Sequence, residues 1–167
     1  MSALLTSWIF LLLVCVTIKV IEERIRYLRK FEVHMREFHK AAGILLSYEH
    51  LPNPILDMIL FLQAKTHDRF AAAGFFKHLV KRDRAAIAGA PESPRLQVIN
   101  RFVEERPEQG RLFEQICVLG VLAMSYRAYI LGGSLRAFVF FDAAQHPART
   151  RDVAVGFFNV EATNERS

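Results

Sequence analysis

Between positions 3 and 21 the only charge is Lys19, and the rest is mainly Leu, Ile, Val and Phe. A helix this apolar on every side needs an apolar cover, either a bilayer or a protein core. At about 18 residues it lies near the lower limit for crossing a hydrocarbon layer of about 30 Å. Lys19 can reach the headgroups along its own methylene stem, and Trp8 suits the opposite interface.

Three readings compete for this run. A cleavable signal peptide wants positive charge ahead of the apolar region and small residues behind it. No Lys or Arg precedes it here, and Val14-Cys15-Val16-Thr17-Ile18 holds no Ala-x-Ala site. Leu13-Val14-Cys15 approaches a lipoprotein box, but Val14 stands where a small residue belongs. A buried core helix is the second reading, although such helices are usually less uniformly apolar. An uncleaved transmembrane anchor over residues 1–21 is the reading we adopt. Lys19, Arg24, Arg26, Arg29 and Lys30 all follow the run. The positive-inside bias then puts the N-terminus outside and the body in the cytoplasm, as in a single-pass protein of a bacterial inner membrane. These five cations are the expected contact with anionic lipid headgroups.

No Gly or Pro interrupts residues 2–42, so the anchor is expected to continue as a stalk helix over 22–46, a rod of about 60 Å in all. Ile18, Ile21, Ile25 and Leu28, then Met35 and Ala42, follow an a/d spacing that Glu32 and His39 interrupt. Such a broken pattern favours packing on helices of the same chain over a coiled coil. His34, Glu37 and His39 do not form a metal set, because the two histidines are five residues apart and splay around the helix.

Residues 47–158 read as a helical cytoplasmic domain of about four helices, followed by a flexible tail over 159–167. Asn53-Pro54 reads as a cap and first helical residue, opening a helix to about position 88 that bends or breaks near Thr66-His67-Asp68. Ser93-Pro94 opens the next helix, through Glu105. Residues 112–131 form a second strongly apolar block. A membrane span over 116–135 would place Arg127 near its middle and export Arg136, Arg149 and Arg151, so a central core helix is preferred. Gly120 and Ala123 would let a neighbour approach closely. Arg127 then wants a carboxylate, and Asp57 is the candidate for a buried ion pair. Gly132-Gly133-Ser134 reads as a turn or helix break, and 138–141 and 153–158 are open to reading as short strands, the first equally as a helical extension.

The motifs of known chemistry are missing from the sequence: no phosphate-cradling Gly-rich loop, GxSxG, CxxCH or HExxH. The two cysteines, Cys15 and Cys117, lie in apolar surroundings and suggest neither a disulfide framework nor a nucleophile. The net charge of +5 comes without a groove-entering or base-stacking motif, so no nucleic-acid partner is expected. The expected fold class is all-α, with no catalytic residue, no metal and no cofactor assigned. The expected role is a non-catalytic accessory, scaffolding or assembly subunit, whose partners are the bilayer and a protein of a membrane complex. The alternative is a small membrane-bound enzyme or lipid-binding protein with a cavity between residues 54–62 and 112–131.

Overall fold

The computed structural model describes residues 2–68, 70–87, 93–128, 132–139 and 147–164, with side chains except at 2–6, 80–87, 147–149 and 161–164. The described residues form seven helices and no strand. They are α1 (Ser2–Leu46), α2 (Asn53–His67), α3 (Ala71–Ile87), α4 (Pro94–Glu105), α5 (Pro107–Arg127), α6 (Gly132–Phe138) and α7 (Pro147–Asn164).

Helix α5 is the axis of the body, and α1, α2, α4, α6 and α7 all pack on it. Its second half explains why: Gly120 to Tyr126 is buried without interruption, so every face of the helix meets protein. A helix apolar all round belongs in a core or a membrane, and here the body supplies the cover. The helix also ends at Arg127, where Ala128 is extended, so residues 116–135 are not one continuous helix. Gly120 is where α2 comes closest. A Cβ there would lie 3.3 Å from Leu62 Cδ2, and Leu62 is fully buried. The seam between α2 and α5 at this point is filled by a side chain, in the region where a cavity was the alternative expectation.

The stalk reading needs correction at its C-terminal half. Met35, Phe38, Ala41, Ala42 and Leu45 form a buried stripe, at spacings of three, four or one residue, that lies in the common core. Each large side chain fully buried here contributes about 1.5–3 kcal/mol. The body therefore begins near Met35, not after Leu46. Ile18, Ile21, Ile25 and Leu28 of the same broken heptad remain exposed, so own-chain packing takes up only the later part of the pattern. Among the described residues no helix is long and apolar enough to cross a membrane. The run is closed by Lys19, Glu22 and Glu23. From Ser7 onward its side chains nonetheless lie outside the body, with Trp8 71% and Phe10 69% exposed.

Breaks between helices follow local chemistry. The connection after α1 carries His50 at φ 62°, a left-handed conformation uncommon outside glycine. Helix α2 starts at Asn53, so Pro52 holds the cap position and supplies no side-chain acceptor; the expected Asn53 cap is displaced by one residue. Asp68 separates α2 from α3, its Oδ1 accepting from Phe70 N at 2.8 Å, which resolves the anticipated bend into a break. Ser93 caps α4 by accepting from Leu96 N, with Pro94 in the first turn. Pro107 opens α5, and Gly110 lies so close to Val103 that a Cβ would fall 3.0 Å from the Val103 Cα.

Two strand expectations meet different outcomes. Residues 153–158 lie within α7, where Val153, Ala154, Val155 and Phe157 are buried. Phe157 meets Phe61 and Phe75 at centroid distances of 5.5 and 5.6 Å, so this β-branched, aromatic run is a core helix. Of 138–141, Phe138 ends α6 and positions 140 and 141 lie outside the described residues. Gly132, expected in a turn, begins α6. Helix α7 continues past position 159 to Asn164.

Candidate functional site

Tyr27, Lys30, Phe31 and His34 recur at spacings of three and four, which sets them along one side of α1. That side faces the last turn of α5, and α6 brings Arg136 to the same place. The Tyr126 ring is the centre. His34 stacks on it at 5.2 Å with a 15° interplanar angle, and Tyr27 lies tilted at 6.2 Å. The Arg136 guanidinium is 4.7 Å from the Tyr27 ring and 4.8 Å from that of Tyr126. Lys30 Nζ lies 5.6 Å from the Tyr126 ring, and Arg127 stands 5.6 Å from Phe31. Cation–π contacts at such part-exposed positions contribute about 0.5–1 kcal/mol each.

Two of the arginines also answer the backbone. The last carbonyls of a helix lack intrahelical donors and carry the negative end of its dipole. Arg24 Nη1 donates to Arg127 O at 3.2 Å, and Arg136 Nη1 donates to Ser125 O at 3.0 Å. The C-terminus of α5 is thus closed by one arginine from α1 and one from α6.

The charges are unbalanced. Among the described residues, none of Arg24, Lys30, Arg127 and Arg136 is paired with a carboxylate; the pairs on α1 are Lys19–Glu22 at 3.4 Å and Arg26–Glu23 at 2.9 Å. Burial holds the His34 imidazole below its ordinary pKa, and the neighbouring Lys30 ammonium pushes the same way. All four cations remain half-buried or exposed.

The sequence-predicted residues fall into two groups. Lys19, Arg26 and Arg29 are exposed on α1, whereas Arg24 and Lys30 are drawn onto α5. Asp57 is exposed on α2, and Arg127 spends its charge on the Phe31 face, so among the described residues the two form no ion pair. The buried pair lies elsewhere. Arg151, 7% exposed, donates to Glu114 Oε1 at 3.1 Å and to Asn100 Oδ1 at 2.9 Å, and its Nε donates to Asp152 Oδ1 at 3.0 Å. This network ties α7 to α5 and α4. Sequence reasoning missed it because Arg151 sits in a polar stretch, and the available signal was Glu114 inside an otherwise apolar block. Beside it Cys117 is fully buried, and burial pushes its thiol pKa far up, outweighing the opposing pull of Arg151.

His34 and His39 point to different neighbours, Tyr126 and Phe38. Among the described residues no three His, Cys, Asp or Glu side chains are grouped to hold a metal ion. No family model matches the chain, and neither a curated protein nor a solved structure gives a significant match.

Proposed function

We propose that the chain is a membrane-anchored, non-catalytic accessory, scaffolding or assembly subunit of a membrane protein complex. The observation that carries this reading is the uncovered apolar length of α1, where Trp8, Ile9, Phe10, Leu11, Leu12 and Leu13 are each more than half exposed. Such a surface is larger than a monomer normally leaves in water, and a bilayer or another apolar helix is its natural cover. The part of the run whose side chains are described, from Ser7 on, is short for a span, but the sequence carries Leu4 and Leu5 ahead of it. Taken as one helix, residues 3–21 measure about 28 Å, close to the hydrocarbon thickness. The cations that follow support an orientation with the N-terminus outside and the body cytoplasmic, its basic surface against anionic headgroups. The exposed stripe Ile18, Ile21, Ile25 and Leu28 fits a helix of the partner protein.

The test is expression of the full chain, extraction of membranes with alkaline carbonate, and purification in mild detergent with identification of every bound component. Retention in the carbonate pellet and a protein partner recovered in stoichiometric amount support the proposal. Release into the soluble fraction sinks the anchor, and a monodisperse, partner-free monomer sinks the subunit role.

A further inference from the structure

We infer that Arg24, Lys30, Arg127 and Arg136 form a single binding site for a phosphate group, occupied by the headgroup of an anionic phospholipid. The inference rests on the membrane reading above and goes beyond it, since it replaces a diffuse basic surface with one composite site built by three helices.

Three observations converge. First, all four cations meet at the C-terminal turn of α5: Lys30 and Arg136 lie on the Tyr126 ring, Arg127 belongs to that turn and lies on Phe31, and Arg24 reaches the Arg127 carbonyl; among the described residues no carboxylate neutralises any of them. Four positive groups held together at a helix end repel one another, and an anion between them relieves that repulsion. A phosphate offers several acceptor oxygens to guanidinium forks, which present planar donors at matching spacing. Arg24 and Arg136 use Nη1 on the α5 carbonyls. A guanidinium carries five N–H donors, so each keeps others for a ligand.

Second, the site sits at the correct level. Arg24 lies one turn beyond Ile21, the end of the apolar run, and Lys30 lies less than two turns further, about 14 Å from Ile21 along the axis. The headgroup layer extends about 5–8 Å beyond the hydrocarbon on each side, so Arg24 lies within it for a helix inserted as proposed, and Lys30 reaches back toward it along its methylene stem. Third, Tyr27 and Tyr126 flank the cations, and tyrosine rings favour this same interfacial layer. Continuity with the apolar segment is what selects a lipid headgroup over a free phosphate in the cytoplasm.

The experiment uses the full chain and two vesicle types, pure phosphatidylcholine and phosphatidylcholine with phosphatidylglycerol, read by flotation. The wild type is expected to float with both and to bind the anionic vesicles more tightly. R127Q/R136Q is expected to lose about 10-fold or more of affinity for the anionic vesicles while floating unchanged with neutral ones. The control R101Q/R111Q removes the same charge from exposed positions on α4 and the start of α5, and is expected to change affinity less than about 2-fold. Equal losses in the two double variants overturn the site and leave the membrane reading standing. Flotation with neither vesicle overturns both.

Because Arg136 closes α5, a second measurement needs no variant. In maltoside micelles, which carry no phosphate, the ring resonances of Tyr27 and Tyr126 in the wild type are expected to shift more on addition of dihexanoyl phosphatidylglycerol than of dihexanoyl phosphatidylcholine. A shift that inorganic phosphate reproduces at the same concentration overturns the lipid assignment, and absence of any shift overturns the site.

Discussion

Arg151 and Glu114 meet at 3.1 Å with 8% and 15% of their side chains exposed, the one buried ion pair among the described residues that joins two helices of the body. Removing one member of such a pair strands the other in a poor solvent, at a cost of about 3–5 kcal/mol when burial is complete. Arg151→Met removes the cation from Glu114 and its contact with Asp152, and is expected to cost about 3 kcal/mol in urea unfolding. Glu114→Gln should cost less, because Arg151 keeps Asp152 and Asn100. Arg151→Met combined with Glu114→Leu should recover part of the loss, and a strictly additive double variant would contradict the coupling.

What the sequence makes legible here is helix content and punctuation. Ser93-Pro94 and Pro107 act within one turn of themselves, so the starts of α4 and α5 follow from local rules. The role of α5 as axis is also readable, since an apolar block holding Arg127 suits a core better than a bilayer. Pairing is not readable in the same way. Arg151 reaches Glu114 across 37 positions and Asn100 across 51, and nothing local to any of them announces the contact. The cationic cluster is half legible: Arg24 and Lys30 stand out after the apolar run, but Arg127 and Arg136 join them only because α5 and α6 end beside α1. The strand reading of 153–158 fails for a physical reason, since a short β-branched and aromatic run suits a buried helix as well as a buried strand.

Adjacent glycines in α6 separate packing from propensity. A Cβ on Gly132 would overlap the Ser125 carbonyl oxygen, a backbone atom that cannot rotate away. On Gly133 the nearest group is Arg136 Nη2 at 3.9 Å, an ordinary van der Waals contact. Gly132→Ala is therefore expected to destabilise by about 1–3 kcal/mol. Gly133→Ala should be neutral or gain up to about 1 kcal/mol from helix propensity. Thermal unfolding resolves the two at roughly 2–4 °C per kcal/mol for a chain of this size. Equal shifts in the two variants would show that the α5–α6 corner is not as described.

His34 predicts a loss of stability toward acid. Burial first, and Lys30 second, hold its folded-state pKa below the unfolded value of about 6.5. Between the two values the unfolded chain binds a proton that the folded chain does not, so the contribution is present above pH ~6.5 and is lost as pH falls through the folded value. The imidazole resonance of His34 should titrate below the ordinary range in the folded protein. Lys30→Gln should raise that midpoint only in part, because burial is the larger cause. His34→Phe keeps a ring against Tyr126 and should remove this part of the pH dependence.

Cys15 and Cys117 distinguish the core from the apolar segment within one chain. Cys117 is buried among α5 neighbours with its pKa pushed far up, so folding keeps the thiol neutral and closed to reagents. A soluble maleimide at pH 8 should leave Cys117 unmodified until urea unfolds the body. Cys15 is exposed on the part of α1 that no other helix covers. If a bilayer covers it, the same charged maleimide should spare Cys15 in vesicles, while a lipid-soluble maleimide should label it; rapid labelling by the charged reagent in intact vesicles would place that segment in water. Stability adds a second readout for Cys117. A raised folded pKa means its contribution is intact below the unfolded thiol value of about 8.5 and is lost as pH rises beyond it, at up to roughly 1.4 kcal/mol per pH unit. Cys117→Ala should flatten that alkaline decline.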